Sequence, residues 1–456
     1  MAVSRRVFLG CGLAASLWTP RRAGAVEAAP ASVPRRLDAA PASLQLAPPP
    51  APPTRILAYD GVSPGPLLRL RKGETLALTL ANRLGEPTSL SFHGLRAVNA
   101  AAGIAGLTQP PVAPGAEADI RFVPPDAGFN LYLPDCGAAT AGQIAGGLYG
   151  PVVIEEAPAP ATDLEAVVVL SDWRLDADGQ LDRAAGDPAG RADGRAGALV
   201  AANGPPAPLT LSAAPGARVR LRLANAATAR VMLIGVDGLT PLIVAVDGQP
   251  SEPFAPLRNV FPLGPGGRYE LMFDLPGEAG ATARFLLRGG DAAAIAGETD
   301  RPLIVFEARG EARPARPPIA GLPANPSLPK EIALERAKRV DLALAGGGAQ
   351  NYTINGTPLC DWGGQPLFVV PRGAPVTLGF VNRTPIVQAM RLDGHVARQL
   401  HALDDGWDPY WRDVVILPPG RTVHAAFVAD NPGKWPIASA IPERRAAGLC
   451  GWFQVQ

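Results

Sequence analysis

Two sequence elements recur three times in the same order, and this repeat constrains the fold of the 456-residue chain more than any other feature. The first runs from Gly73 to Asn82 as GETLALTLAN, from Gly216 to Asn225 as GARVRLRLAN, and from Gly373 to Asn382 as GAPVTLGFVN. Each copy opens on a glycine, continues as an alternating strand and closes on asparagine. A period of two places the apolar side chains on one face of a strand. Glycine and asparagine are residues that turns favour. The second element is a glycine-led turn and a strand ending on phenylalanine: Gly115 to Phe122, Gly266 to Phe273 and Gly420 to Phe427. Copies lie roughly 150 residues apart, too long a period for a solenoid and suited to a β-sandwich. The chain is therefore expected to be all-β, with three homologous domains in tandem.

Composition sets the boundaries. Residues 1–25 read as a twin-arginine signal peptide: Ser4-Arg5-Arg6-Val7-Phe8-Leu9, an apolar stretch to Trp18, and the cleavage site Ala23-Gly24-Ala25. This predicts export to the periplasm by the twin-arginine pathway. The apolar stretch is shorter than the ~20 residues a membrane span needs, so no transmembrane anchor is expected. Residues 26–54 are an Ala/Pro-rich leader, expected to be extended and outside the core. Domain one then covers 55–157 and domain two 163–308. A Pro/Arg-rich linker covers 309–329, and domain three covers 330–456. The stretch from Gly186 to Gly197 reads as a surface loop. A net charge of +1 provides no overall field for nucleic acid.

Only 4 His and 4 Cys are present, which limits transition-metal sites because imidazole and thiolate are the usual ligands. Cys11 lies in the signal. Cys136, Cys360 and Cys450 permit at most one internal disulfide, and their pairing is open. Neither G-x-S-x-G nor H-E-x-x-H occurs. Asp404, Asp405 and Asp408, near Trp407 and Trp411, would suit a sugar platform or a polar loop; the loop is the expectation.

A series of short motifs runs through all three domains. Gly61 to Pro66 reads GVSPGP, Thr88 to Leu95 TSLSFHGL, and Gly147 to Pro151 GLYGP. Leu170 to Trp173 reads LSDW, followed by Asn203-Gly204 and by VDG at Val246 to Gly248. TING at Thr353 to Gly356, LDGH at Leu392 to His395 and DNPGKW at Asp430 to Trp435 complete the set. In this order they resemble the multicopper oxidase family across nearly all of the mature chain. The resemblance implies three tandem cupredoxin-like Greek-key β-sandwich domains. It also implies four coppers: a mononuclear centre with one Cys and two His, and a trinuclear cluster held by eight His between the first and last domains.

Position by position, this chain departs from that ligand pattern. The first His-x-His falls on Ser91 and His93, the second on Leu133 and Asp135. The H-x-x-H-x-H motif falls on Gln388, Arg391 and Asp393, and His-Cys-His on Ala438, Ser439 and Ala440. The next His is Arg444 and the axial position is Leu449. Ser91, His93, Leu133, Asp135, Arg391, Asp393, Ala438 and Ala440 are thus the trinuclear positions, with His93 the sole surviving ligand. Gln388, Ser439, Arg444 and Leu449 are the mononuclear ones. No catalytic residue, cofactor-binding residue or metal is expected, and no cofactor, although copper is the family's. His395, His401 and His424 are expected to serve structure or surface. Ser91, His93, Asp135, Arg391 and Asp393 are expected to converge if the fold is kept. There they form either a hydrogen-bonded ion network joining domains one and three, or exposed and unpaired remnants. Cys136 and Cys450 each adjoin a vacated position.

The expected function is that of a non-catalytic binding or scaffold module. The family contains a twin-arginine-exported, copper-free periplasmic branch that supports the cell-division machinery, and this chain resembles it in signal, length and ligand loss. That implies periplasmic protein partners of the division or envelope-biogenesis machinery, and no nucleic acid. The alternative is a copper-dependent oxidoreductase with a non-standard metal site. Oligomeric state is open.

Overall fold

The structure is a computed structural model that describes residues 36–182, 193–290, 294–348, 350–358, 362–401 and 406–456. The expected signal peptide, Cys360, Asp404 and Asp405 lie outside the described residues.

The two repeated elements are hydrogen-bonded neighbours in each domain. Leu76–Asn82 runs antiparallel to Glu117–Phe122 with Leu76 opposite Phe122. Arg218–Asn225 pairs with Arg268–Asp274, Val219 opposite Phe273. Ala374–Asn382 pairs with Thr422–Ala429, Val376 opposite Phe427. All six side chains are buried. The repeat is therefore one cross-strand apolar pair used three times.

The closing asparagine has its own cause. Asn82 Nδ2 donates to the carbonyls of Glu86 and Val112, at 2.9 and 2.8 Å. Asn225 Nδ2 donates to Arg230 and Leu263, at 2.7 and 2.9 Å. Asn382 Nδ2 donates to Ile386 and Leu417, at 2.9 and 3.0 Å. Each Oδ1 accepts the N–H two residues on, from Leu84, Ala227 and Thr384. A primary amide offers two donors and an acceptor, so it satisfies backbone groups where the strand ends and the chain turns.

Each domain stacks two sheets. In the first, Thr54–Tyr59, Arg36–Leu44, Leu76–Asn82 and Glu117–Phe122 form one four-stranded sheet. Leu68–Arg71, Gly150–Glu155, Gly128–Leu133 and Ser91–His93 form the other. The second domain packs six strands on five, the third five on five. The architecture is three tandem cupredoxin-like β-sandwiches. The domains also share apolar cores. Phe129, Leu131 and Val153 pack with Val167, Val169 and Ala224 between the first and second domains. Ala102 and Ile104 of the first domain enter the core of the third beside Leu392 and Trp435. These contacts set the first domain against both others and fix the seam where the candidate site lies.

One expectation about the connecting segments needs correction. Arg36–Leu44, expected within the extended leader, is a strand of the first sheet, parallel to Leu76–Asn82 and antiparallel to Thr54–Tyr59. Its Ala and Pro content hid a short alternation in which Leu37 and Ala39 are buried. The 309–329 linker packs along the second domain. Leu322 is buried against Val244, Ala245 and Met272. Asn325 Nδ2 donates to Gln249 Oε1 at 2.9 Å, and the Ser327 hydroxyl donates to Asp126 at 3.0 Å. Among the described residues no helix is long and apolar enough to cross a membrane.

Candidate functional site

Three short elements carry the converging residues. The strand Ser91–His93 pairs with Gly128–Leu133, and Asp135 follows two residues later. The strand Gln388–Leu392 pairs with Gly433–Ser439, which places Arg391 opposite Ala438. The helix Pro442–Ala446 starts on proline, whose fixed φ suits a first helical position, and it carries Arg444 and Arg445. A β-strand exposes alternate residues on one face, so Ser91 and His93 point the same way, while Asp393 lies in the turn just after Leu392.

At the seam of the first and third domains these residues form one connected ion network. Arg391 Nη1 lies 2.8 Å from His93 Nδ1 and 2.6 Å from Nε2. Arg391 Nη2 donates to Asp135 Oδ2 at 3.1 Å and to Asp393 Oδ2 at 3.0 Å. Its Nε lies 2.9 Å from Asp393 Oδ1. Arg445 Nη1 donates to Asp135 Oδ2 at 2.6 Å. Of the two arrangements open from sequence, the structure has the network. Ser91 is buried on the same strand as His93. Leu133, Ser439 and Ala440 join His93, Asp135, Arg391 and Arg445 around a cavity of ≈ 20 Å³, room for about one water. Ala438 is buried between Arg391 and Cys450 in the sheet.

The charges are balanced by contact. Burial, then the Arg391, Arg268 and Arg445 cations, push His93 well below its ordinary value, so the imidazole is neutral. Burial opposes ionisation of Asp135, but Arg445 and Arg391 outweigh it and hold the carboxyl below the usual range. Asp393 goes the other way, raised by burial against the pull of Arg391, with Asp135 adding repulsion. Arg391 remains a cation: burial disfavours the charge, and Asp393 and Asp135 more than offset it.

Sequence reasoning missed part of this network. Arg445 was legible only as the second member of an Arg-Arg doublet, and neighbouring helical residues point ~100° apart. Only the helix orientation shows which one reaches Asp135. Arg268 of the second domain was also missed. Its Nη2 donates to Asp413 Oδ2 at 2.8 Å and to the Asp247 carbonyl at 2.9 Å, and its Nε donates to the Phe129 carbonyl at 3.2 Å. One side chain thus touches all three domains. The Asp247 carboxylate in turn accepts the N–H groups of Asp413 and Val414, at 3.1 Å each. Gly94, at φ +90, explains the glycine of TSLSFHGL: a Cβ there would stand 2.2 Å from Arg268 Nη2.

The mononuclear positions are filled rather than open. Arg444 Nη1 donates to Gln388 Oε1 at 2.8 Å, and its Nε donates to the Asp193 carbonyl at 2.8 Å. Gln388 Nε2 donates to the Thr384 hydroxyl at 2.9 Å. The Ser439 hydroxyl accepts the Ile441 N–H at 3.1 Å, and Leu449 belongs to the third domain's core. Asp193, within the expected surface loop, also accepts the Tyr352 hydroxyl and the Gly348 N–H, which ties the loop to the third domain there.

The remaining candidates are engaged elsewhere. His395 is buried among Phe427, Trp435 and Phe453, and burial lowers it to about 4. His401 is exposed and His424 half-buried. Cys136 is a free thiol and Cys450 is disulfide-bonded, so the two are not paired with each other. Trp411 is buried under Arg398, and Asp408 accepts from Arg412 at 2.9 Å. These contacts fit the loop reading and not an open sugar platform.

Comparison with known proteins agrees with the geometry of the sandwiches. Family models described as multicopper oxidase match residues 43–159, 165–289 and 333–456. The multicopper oxidase MmcO of Mycobacterium tuberculosis is 30% identical over 98% of this chain and 95% of its own. A copper resistance protein A homolog of Pseudomonas syringae pv. tomato is 38% identical over 26% of this chain and 20% of its own. The crystal structure of a multi-copper oxidase from Pseudomonas thermotolerans superposes with a TM-score of 0.82 at 28% identity, covering 92% of this chain and 98% of that one.

These relatives overturn the expectation of no cofactor: they are copper proteins, so copper is the group that the likeness implies. The described residues at the ligand positions do not fit it. Both His93 nitrogens face the Arg391 guanidinium, a fixed cation with no lone pair to give. Among the described residues no group of three or more His, Cys, Asp or Glu is placed to hold a metal ion. No chemical step through copper follows from this donor set.

Proposed function

The chain belongs to the multicopper oxidase family, and on that premise we propose that it works as a non-catalytic binding or scaffold module. The observation that carries the proposal is the place of Arg391. A permanent cation, hydrogen-bonded to His93, Asp135 and Asp393, stands where the resemblance sets the dioxygen-reducing cluster. The network keeps the first and third domains joined and leaves the sandwich faces available to partners. Export by the twin-arginine signal at Ser4 to Leu9 would put those faces in the periplasm. The resemblance to the cell-division branch names the partner class: proteins of the septum-building or envelope-building machinery.

Crosslinking in the intact periplasm, followed by capture of the chain, tests it. Recovery of division or envelope-biogenesis proteins is the expected result. The relatives' names favour a second reading, a copper-dependent oxidoreductase with a non-standard metal site. Stoichiometric copper, a blue absorption band and dioxygen uptake with a reducing substrate would establish that reading and overturn the scaffold one. Failure to capture any envelope protein would also count against the scaffold.

A further inference from the structure

A second cavity opens at the three-domain seam and adjoins the first, with Thr228 lining both. Leu57 and the helix Ala139–Gly146 of the first domain line it, with Asp172 and Arg195 of the second and Glu443 of the third. Its volume is ≈ 270 Å³, just below the ~300–1,000 Å³ typical of sites for drug-sized ligands. It suits a smaller guest.

Most of its charges are already matched. Asp172 Oδ2 accepts Arg230 Nε at 3.1 Å and the Gly197 N–H at 2.7 Å. Arg174 holds Asp182 at 2.8 Å, and Glu86 accepts Gln143 Nε2 at 3.1 Å. Two groups keep unmatched atoms, although Arg195 and Thr228 both act on the Glu443 carboxyl. Glu443 is 8% exposed, and its Oε2 has no hydrogen-bond partner. Arg195 Nε and Nη1 are enclosed and also lack partners. The two residues are opposite in charge and line the same cavity. Leaving a buried carboxylate and a guanidinium unsatisfied is costly, and a ligand that supplies both a donor and an acceptor removes both penalties.

We propose that this cavity binds a small zwitterion of amino-acid size, its ammonium on Glu443 and its carboxylate on Arg195. An anion alone would leave Glu443 Oε2 without a donor, and a cation alone would leave Arg195 Nε and Nη1 without an acceptor. Charge-assisted hydrogen bonds to both ends make the pair of opposite charges the recognised feature. The site is independent of the scaffold reading, because it concerns a small molecule and not a protein partner.

The test uses the full mature chain and a panel of the standard amino acids, read by thermal shift and by titration calorimetry. At least one amino acid is expected to raise Tm and bind. Its decarboxylated amine and its deaminated acid should each bind at least about tenfold more weakly, a loss of one charged contact. Glu443→Gln and Arg195→Gln should each weaken binding by a similar factor; either variant suffices if the other fails to fold. The proposal is overturned if no amino acid binds, if the amine or the acid binds as tightly as its zwitterion, or if a folded variant binds like the wild type.

Discussion

Arg391 and Asp135, 256 residues apart in the chain, are joined by a 3.1 Å hydrogen bond across the seam of the first and third domains. Both are buried, and each has a further ionic partner, Asp393 for Arg391 and Arg445 for Asp135. The bond joins the first and third domains beside the apolar core they share.

Arg391→Met should therefore destabilise the protein by ~3–5 kcal/mol, because it strands the buried Asp393 carboxylate and leaves Asp135 with Arg445 alone. Chemical denaturation of the protein checks this. A loss under ~1 kcal/mol would mean that the network is solvated and not a clamp.

Arg268 and Asp413 provide a test by coupling. Arg268→Met alone leaves the buried Asp413 carboxylate without its 2.8 Å partner and should cost several kcal/mol, ~3–5 by the same reasoning. Adding Asp413→Leu should recover much of that loss, since a buried pair replaced by apolar side chains is often neutral. A double-mutant cycle with no coupling between the two would contradict the contact.

The pH dependence has two opposed contributions. Burial raises the Asp413 carboxyl to about 7, with Arg268 pulling it down and Asp247 pushing it up. Its folded value lies above its unfolded one. Its stabilising contribution is thus complete at low pH and is lost as pH rises through about 7. His93 is lowered by burial and by Arg391, so its contribution is complete above its unfolded value and is lost as pH falls. Relative to the wild type, Asp413→Asn should become more stable as pH rises from 5 to about 8. His93→Gln should gain relative stability in the opposite direction. Urea melts across that range read both slopes; slopes of the same sign would refute the assignment.

The repeated asparagine should matter equally in each domain. Asn82→Ala, Asn225→Ala and Asn382→Ala each remove a side chain that satisfies two carbonyls and an N–H in the interior. Each should cost ~2 kcal/mol or more, as unsatisfied buried backbone groups do. Hydrogen exchange should localise the loosening to the loop that follows the altered residue.

Much of the fold was legible because a strand writes its environment into a period of two. The three Gly-to-Asn and three Gly-to-Phe elements announced three sandwiches, and the cross-strand pairs Leu76–Phe122, Val219–Phe273 and Val376–Phe427 are those elements in register. Arg36–Leu44 escaped because its small residues bury little surface and its proline disguised the alternation. The ligand positions were readable through the motif order, and so were the candidates Ser91, His93, Asp135, Arg391 and Asp393. Arg445, Arg268 and the Glu443–Arg195 cavity were not readable, because nothing local marks which Arg or Glu reaches across a domain boundary.

By itself the sequence determined three β-domains, the residues that stand at the family's ligand positions, and the scarcity of His and Cys. Those are properties of neighbours along one strand or one turn, where a side chain's direction follows from its position. Tertiary structure alone decided that Arg391 binds His93, Asp135 and Asp393 rather than water, and that Arg268 bridges three domains. A long guanidinium can pair with any carboxylate within its reach, and the packing of the domains chooses among them. Buried charges persist only where that packing brings their partners to bonding distance.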